Sequence, residues 1–400
     1  MDRFGGKLIY SPGLTIDFPI TLSRRPLCYH IPRRGGAWRE TSGHGSATTT
    51  GELMTIGTSN KSYVYVGMGG ETAPGRIVDT GLYRMGEGGE DWEALTRGLP
   101  EAPAIRALTV HPSRSEIIYA GTQEGPYRSG DHGDSWEKVA VPDRGMPVWS
   151  FLFHPHDPDV IFVGYEHCEI YRSDDGGVAW ERLPVSVHFP EISTAPGANP
   201  VKRVLMLAAS ENDPDLLYGA IEVGGIIRST DGGEHWENLS HGQYVNDDTV
   251  DMHGVLASRW RPGVIYSIGR AGLFCSADAG DHWRHVPLEP LNAKGQVYCR
   301  DIREVPGNPR KLWVAAGADF QSDTGVLLHS RDGGYSWDRV DMGLKPGNTM
   351  FALAFDERRP DRMSCATNGG EVFSSSDAGE TWQAHPPLPE GKQIYALARA

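Results

Sequence analysis

Short runs of alternating apolar and polar residues, each ended by a turn, occupy most of the chain. Such runs are typical of half-buried β-strands. In one stretch they are Ile105–His111, Ile117–Thr122, Pro126–Ser129 and Trp136–Val139. The same order returns directly afterwards as Val148–His154, Val160–Tyr165, Ile170–Ser173 and Trp180–Leu183. Four short strands joined by tight turns predict a four-stranded antiparallel sheet that is repeated along the chain.

A motif of the form S-x-D-x-G-x-x-W marks the turn between the third and fourth strand of each unit. The first copy is Ser129, Asp131, Gly133 and Trp136. Five further copies begin at Ser173, Ser229, Ser276, Ser330 and Ser375, and end at Trp180, Trp236, Trp283, Trp337 and Trp382. A degenerate seventh copy places Met85, Glu87, Gly89 and Trp92 in the same register. Seven copies predict seven sheets.

The motif predicts a structural turn and not a catalytic site. Its aspartate can accept hydrogen bonds from backbone N–H groups of its own turn. Its glycine permits a positive φ, and its tryptophan supplies a large apolar surface for packing near the turn.

This motif resembles the Asp-box (BNR) repeat over about residues 55–400. The resemblance implies an all-β fold, a single seven-bladed β-propeller of four-stranded antiparallel blades. The first blade has strands near Tyr63–Met68, Gly81–Arg84 and Trp92–Leu95 but no inner strand before them. The unpaired segment Gln393–Arg399 is expected to fill that place and close the ring, which removes two exposed sheet edges. Residues 51–400 then form the propeller, and residues 1–50 form an N-terminal extension, a strap or lid.

Composition and charge exclude several classes of function. Fifty Gly and 28 Pro suit many short strands. A net charge of −14 opposes nucleic-acid binding, which normally needs a basic face. No apolar run approaches the roughly 18 residues of a membrane span. Charged residues stand where a signal peptide would be apolar, so we expect a cytoplasmic protein. The five scattered cysteines contain no C-x-x-C pair and predict reduced thiols.

Two rings of aligned positions predict a pocket at the mouth of the central channel. Insertions concentrate in the loops opposite the Asp-box turns, for example at Gly69–Thr80 and Pro184–Lys202, and loops on a rigid scaffold often carry binding sites. The inner-strand ring consists of Arg106, Trp149, Leu205, His253, Arg300, Phe351 and Tyr395. The second-strand ring consists of Gly69, Gln123, Glu166, Glu222, Arg270, Gly317 and Asn368. Both rings vary in residue type, as a binding pocket does and a structural repeat does not.

Each candidate has a chemical and a structural interpretation. Glu166, Glu222 and His253 are the candidate acid–base residues; paired glutamates and a structural histidine are the alternative. Arg106, Arg270 and Arg300 would hold a substrate anion, or form salt bridges between blades. Trp149, Phe351 and Tyr395 would stack on substrate or simply pack, while Gln123 and Asn368 would supply polar contacts. The neighbouring candidates of second rank are Asp251, Asp301 and His167.

Three groups of Asp-box propellers are similar to this chain and imply different functions. Sialidases usually have six blades and an F-R-I-P segment, where this chain has only His30-Ile31-Pro32. Xyloglucan-type glucanases normally place paired aspartates between two propellers. Photosystem-assembly and sortilin-like propellers dock other proteins. We predict an enzyme, a hydrolase or lyase, with a small anionic or hydroxylated substrate. The alternatives are a protein-interaction propeller and an Asp-box glycoside hydrolase.

No organic cofactor is predicted, because no G-x-G-x-x-G follows a strand and opens a helix. A divalent metal bound by Glu166, His167, Glu222 and His253 stays open, although no local ligand spacing supports it. The expected oligomeric state is a monomer, with a homodimer through residues 1–50 as the alternative.

Overall fold

The structure is a computed structural model that describes residues 62–73, 76–77, 79–189, 201–240, 247–389 and 393–400. The predicted extension, residues 1–50, lies outside the described residues, so its boundary with the propeller stays a prediction. Within the described ranges the regular structure is β-strand, apart from a 3-10 turn at Asp247–Thr249. None of the helical structure described there has the length and apolar character of a membrane-spanning helix.

Thirty strands form seven four-stranded antiparallel sheets and one small hairpin in the described part of the chain. The strands of the first two sheets and of the hairpin are β1 (Tyr63–Met68), β2 (Glu71–Ala73), β3 (Arg76–Ile77), β4 (Gly81–Gly86), β5 (Glu93–Ala94), β6 (Ala107–Val110), β7 (Ile118–Thr122), β8 (Gly125–Ser129) and β9 (Glu137–Lys138). The third and fourth sheets contain β10 (Val148–His154), β11 (Asp157–Tyr165), β12 (Ile170–Ser173), β13 (Glu181–Arg182), β14 (Val204–Ala209), β15 (Leu217–Ile221), β16 (Gly225–Ser229) and β17 (Glu237–Asn238).

The remaining strands complete the ring. The fifth and sixth sheets contain β18 (Met252–Ala257), β19 (Ile265–Gly269), β20 (Gly272–Ser276), β21 (Arg284–His285), β22 (Tyr298–Val305), β23 (Asn308–Gly317), β24 (Gly325–Ser330) and β25 (Asp338–Arg339). The seventh contains β26 (Met350–Asp356), β27 (Arg359–Thr367), β28 (Val372–Ser375) and β29 (Gln383–Ala384), and the last strand is β30 (Ile394–Arg399). Each sheet pairs its strands in chain order, except the first, whose order is β30-β1-β4-β5. The predicted seven-bladed propeller is therefore confirmed.

The last strand closes the ring as predicted. Strand β30 pairs antiparallel with β1, with Tyr65 opposite Ala398 and Val66 opposite Leu397. Ile394 and Leu397 also belong to an apolar cluster that includes Ala352 and Ala354 of the seventh blade. The first blade is thus built from the two ends of the propeller sequence, which gives β1 a partner on its inner side.

Hydrogen bonds within the Asp-box turn account for its repeated sequence. In the second blade the Ser129 hydroxyl donates to Asp131 Oδ1 at 2.7 Å and accepts the N–H of Gly133 at 2.8 Å. Asp131 Oδ1 also accepts the N–H of Ser135 at 2.9 Å. Gly133 has φ of 95°, a left-handed conformation that favours glycine. The other five full copies repeat these three bonds.

The outer strands are shorter than predicted. The alternating pattern placed Trp136 at the start of a strand, whereas β9 begins one residue later. Trp136 is buried, its indole N–H donates to the Gly133 carbonyl at 3.1 Å, and its backbone N–H donates to Arg97 of the first blade at 3.0 Å. The tryptophan therefore joins adjacent blades before the strand begins.

Buried tyrosines tie three of the blades to the Asp-box turn of the next blade. The hydroxyls of Tyr65, Tyr218 and Tyr266 donate to the carbonyls of His132, Ala279 and Gly333 at 2.9, 3.0 and 2.5 Å. All three rings are fully buried. These contacts hold neighbouring blades in a fixed relation and so fix the positions of the inner strands around the channel.

Candidate functional site

All seven side chains of the inner-strand ring line one cavity of about 630 Å³ along the central channel. The lining continues along each inner strand, for example from Trp149 to Pro155. The Asp-box turns and the turns that follow the inner strands lie at the opposite end of the strands from this ring. The ring therefore surrounds the channel mouth on the loop-rich side, where the sequence alignment placed it.

A β-bulge positions six of the seven ring residues. Val148 pairs with Tyr165 and Ser150 pairs with Gly164, so Trp149 between them is an extra residue without a partner in the ladder. The same register shift leaves out Leu205, His253, Arg300, Phe351 and Tyr395 in the other inner strands. A bulge bends its strand and redirects the extra side chain. Here it occurs at the same strand position in six blades and directs six different side chains to the channel mouth.

Aromatic rings form a continuous series along one side of the mouth. Trp149 contacts Tyr395, with ring centroids 6.2 Å apart, and Tyr395 contacts Phe351 at 5.4 Å. Phe320 continues the series at 5.8 Å from Phe351, and Tyr298 follows at 6.4 Å. Most of these contacts have the edge-to-face geometry that aromatic pairs prefer. The mouth thus has an apolar wall in which Trp149, Phe351 and Tyr298 are buried and Tyr395 and Phe320 are partly exposed.

Three guanidinium groups lie over this wall. Arg106 and Arg203 lie 4.7 and 4.6 Å from the ring centroid of Trp149. Arg300 lies 4.5 Å from the centroid of Phe351. Arg300 is partly buried and forms no ion pair within the described ranges, which distinguishes it from most arginines around it.

His253 is buried in a neutral form. Its Nδ1 lies 2.7 Å from the Cys299 carbonyl, so Nδ1 carries the proton and Nε2 keeps a lone pair. Burial lowers the pKa of His253 to about 3, and the positive charge of Arg300 adds to the effect. Nε2 lies 3.7 Å from Asp251 Oδ1. His253 therefore carries no charge at neutral pH and can accept a hydrogen bond at Nε2.

Asp251 is the second buried group of this pair. Burial raises its pKa above the ordinary value, although the positive charge of Arg270 opposes the rise. Its Oδ1 is buried and has no hydrogen-bond donor within the described ranges. The backbone N–H of Val223 donates to the carboxylate, and the Val223 carbonyl accepts from Lys202. Val223 has φ of 52°, which is strained for a β-branched residue and is held by these two contacts.

The second-strand ring does not converge on the channel cavity as predicted. Neither Glu166 nor Glu222 lines it. Both carboxylates lie next to Arg203 and outside the cavity. Arg203 Nη1 lies 2.9 Å from Glu222 Oε2, and Arg203 Nε lies 3.8 Å from Glu166 Oε2. The paired-glutamate alternative therefore describes their geometry, because Arg203 hydrogen-bonds to Glu222 and its charge also faces Glu166.

The other members of this ring are also outside the channel. Gln123 Oε1 accepts the Ala104 N–H at 2.8 Å, and Arg270 Nε lies 3.3 Å from Asp248 Oδ1. Asn368 donates to the Phe320 carbonyl and lines a separate cavity of about 810 Å³, together with Asn348 and Gln393. Gln123 and Arg270 are thus occupied by contacts within the protein.

The candidates of second rank differ among themselves. Asp301 lines the channel, but its carboxylate accepts the Leu353 N–H at 2.9 Å and lies 2.9 Å from Arg303 Nε. His167 is exposed in a turn with φ of 62°. No group of three or more His, Cys, Asp or Glu in the described ranges is arranged to hold a metal ion.

Three residues of the mouth were missed in the sequence. Arg203 and Tyr298 precede the ring residues Leu205 and Arg300 by two positions, and that spacing was the available signal. Phe320 lies in the long loop between β23 and β24, where neither strand period nor motif predicts a side-chain position.

Two family models match parts of the chain. The model described as "Sortilin, neurotensin receptor 3" matches residues 80–216. The model described as "Photosynthesis system II assembly factor YCF48" matches residues 313–392. Each match covers less than half of the chain, and both families resemble it through the repeated blades.

Enzymes and a binding protein are found among similar proteins. An oligoxyloglucan-reducing end-specific xyloglucanase of Emericella nidulans is 24% identical over 209 residues, which cover 47% of this chain and 24% of that enzyme. The GH74 xyloglucanase structure from Xanthomonas campestris has a TM-score of 0.54 and 19% identity, with 74% of this chain and 46% of that chain covered. The structure of YCF48 bound to D1 peptide has a TM-score of 0.50 and 19% identity, with coverage of 76% and 86%. The chain thus spans less than half of either xyloglucanase, and the structural likeness shows the fold.

Proposed function

Because the chain is an Asp-box β-propeller without a close match to any one member of that superfamily, we propose from its own geometry that the channel mouth binds a small anionic ligand through Arg300. The observation that carries this proposal is the setting of Arg300. Its guanidinium is partly buried over Phe351 and has no carboxylate partner within the described ranges. A buried cation without a counterion is costly, and a bound carboxylate, phosphate or sulfate would supply one.

The aromatic wall supports binding of the uncharged part of the same ligand. Phe351 lies directly under Arg300, Tyr395 contacts Phe351, and both rings line the cavity, which has room for a small molecule. Pockets that combine an apolar wall with one or two charged groups are common small-molecule sites. An aromatic or sugar ring that carries an acidic group fits this arrangement.

The Asp251–His253 pair favours catalysis as an additional role. His253 lines the cavity close to Arg300 and keeps a free lone pair on Nε2. Asp251 is a second buried proton-binding group 3.7 Å away. We propose hydrolysis or elimination on the bound anion, with Asp251, whose pKa is raised, as the proton-binding group and with neutral His253, oriented by the Cys299 carbonyl, as a hydrogen-bond acceptor through Nε2. Glu166 and Glu222 have no role in this scheme, because Arg203 holds both.

The test is a ligand screen on the wild-type protein and two arginine variants. Acetate, benzoate, inorganic phosphate and glucuronate are the anionic probes, and a neutral xyloglucan oligosaccharide is the comparison. We expect Arg300→Gln to weaken anion binding on the order of 10- to 100-fold, because a charge-assisted hydrogen bond is lost. Arg270→Gln is the matched control, since Arg270 is already paired with Asp248.

The outcome separates the candidate functions. If calorimetric titration shows equal anion affinity in the wild type and Arg300→Gln, the proposed binding of the anion by Arg300 is overturned. Binding of the neutral oligosaccharide alone, unaffected by Arg300→Gln, overturns it in favour of an Asp-box glycoside hydrolase. If anions bind and Arg300→Gln loses them, turnover is then compared between the wild type and His253→Gln.

A further inference from the structure

The Asp box of the sixth blade differs from the other boxes at two exposed positions. The sixth position of the motif is acidic in four copies, namely Asp134, Glu234, Asp281 and Glu380. It is Val178 in the third blade and Tyr335 in the sixth. The second position, occupied by Asp174 in the third blade, is Arg331 in the sixth. This box has therefore exchanged an acidic side chain for an aromatic one and gained a cation, neither of which its turn requires.

A tryptophan of the fifth blade lies against the same box. Trp260 follows β18, and any side chain at Gly333 would collide with its indole ring, so the ring lies directly on that backbone. The exposed fraction is 40% for Trp260 and 65% for Tyr335. Scattered apolar residues on a surface need no explanation, but two adjacent exposed aromatic rings indicate an interaction site.

Two arginines contact these two rings and form no ion pair in the described ranges. Arg261 lies 4.2 Å from the centroid of Tyr335 and donates to the Gly333 carbonyl at 3.4 Å, while Arg310 lies 5.3 Å from the centroid of Trp260. Arg261, Arg310, Lys311 and Arg331 form no ion pair with any carboxylate in the described ranges. By contrast, Arg259 on the same side of the propeller is paired with Glu304 at 2.9 Å. Unpaired arginines at the rings and in the box, in a chain of net charge −14, point to an anion from outside.

We propose that Trp260, Arg261, Arg310, Arg331 and Tyr335, which we call the blade-six patch, bind an acidic peptide segment of a partner protein. Tryptophan, tyrosine and arginine are the residue types that contribute most to protein interfaces. Acidic side chains of the partner would replace the missing carboxylates, and its apolar side chains would cover the two rings. A peptide fits better than a nucleic acid, because the overall negative charge repels a phosphate chain beyond the patch.

This site is independent of the anion site in the channel mouth. Trp260 follows the end of β18, whereas His253 lies near the start of the same strand. The Asp-box turn that carries Tyr335 is on the side of Trp260. The two proposals therefore concern opposite ends of the inner strands and can fail separately.

The test is fluorescence anisotropy on the full chain with a labelled peptide rich in Asp, Glu and Leu. We expect saturable binding of this peptide, no binding of its Lys counterpart, and weaker binding as salt rises. Tyr335→Ser and Arg261→Gln should each weaken binding at least about tenfold, as for central interface residues. Val178→Ser, at the equivalent motif position and 79% exposed, is the matched control and should bind like the wild type. Arg300→Gln should also bind the acidic peptide like the wild type.

Three results would overturn the proposal. The first is absence of saturable binding of the acidic peptide to the folded wild type. The second is binding that Tyr335→Ser and Arg261→Gln leave unchanged, or that Val178→Ser weakens equally. The third is tighter binding of an oligothymidylate than of the acidic peptide, which would assign the patch to a nucleic acid. Circular dichroism of each variant verifies that it is folded.

Discussion

Two guanidinium groups at the channel mouth, Arg203 and Arg300, lie over aromatic rings but differ in their partners. Arg203 contacts two glutamates, and Arg300 contacts no carboxylate within the described ranges. The sequence predicted the position of Arg300 because ring residues share one place in an aligned strand. It could not predict the pairing of Glu166 and Glu222, because long side chains at strand ends choose among several neighbours that only the folded chain brings together.

His253 should make the protein less stable in acid. Its pKa is about 3 in the folded protein and 6.5 for a solvent-exposed histidine, so the unfolded chain binds more protons between these values. The stabilising contribution is present above about pH 6.5 and is lost as the pH falls toward 3. The free energy of unfolding of the wild type should fall more steeply with acid than that of His253→Gln, by up to about 1.4 kcal/mol per pH unit.

Urea unfolding at a series of pH values measures this difference. His156→Gln removes an exposed imidazole at the far end of β10 and should keep the pH profile of the wild type. Parallel profiles of the wild type and His253→Gln between pH 6.5 and 4 would contradict a neutral buried imidazole.

At the scale of the strand and turn, prediction succeeded where a pattern is repeated. Six full Asp boxes fix the turn between the third and fourth strands, and their hydrogen bonds recur in every full copy. The bulge in the inner strands leaves no such mark, because the extra residue can be Trp, Leu, His, Arg, Phe or Tyr. The sequence alignment found the right positions through their common distance from the box, whereas the reason that they face the channel became visible only in the strand register.

Ser129, the repeated serine position of the Asp box in the second blade, should contribute more to the free energy of unfolding than Ser135, the other serine of the same turn. Ser129 is buried, and its Oγ is the acceptor for the N–H of Gly133. Ser129→Ala leaves that buried N–H without an acceptor, which costs about 1–3 kcal/mol. Ser135→Ala removes only a bond to the other carboxylate oxygen of Asp131, in a partly exposed position, and should cost clearly less.

Denaturant titration of the two alanine variants tests the order. Equal losses in the free energy of unfolding would mean that the serine acts through the carboxylate alone. A loss for Ser135→Ala that exceeds the loss for Ser129→Ala would contradict the structural account of the box.

At the scale of the whole propeller, the number of blades and the closing strand could be predicted because both follow from counting. The seven copies of the Asp box give seven blades. The first blade has no inner strand before it in the sequence, and the C-terminal strand, which belongs to no other blade, takes that place. The depth of the channel and the separate cavity beside Asn368 could not be predicted, because they depend on the packing of seven inner strands against one another. Residues on opposite sides of the ring meet only after closure, and of the two predicted rings the inner-strand ring lines the channel cavity whereas the second-strand ring lies outside it.

Closure should make the stability of the first and seventh blades depend on one strand. Leu397 of β30 is opposite Val66 and packs in a cluster shared with Ala352 and Ala354, so Leu397→Asp places a charge between the two blades. An unpaired buried charge costs about 3–5 kcal/mol, which corresponds to a melting temperature lower by roughly 5 °C in a chain of this size. Gln383→Asp adds the same charge on the exposed outer strand of the seventh blade and should melt close to the wild type. Differential scanning calorimetry compares the three proteins, and a Leu397→Asp variant that melts with Gln383→Asp would mean that the closing strand can separate without unfolding its neighbours.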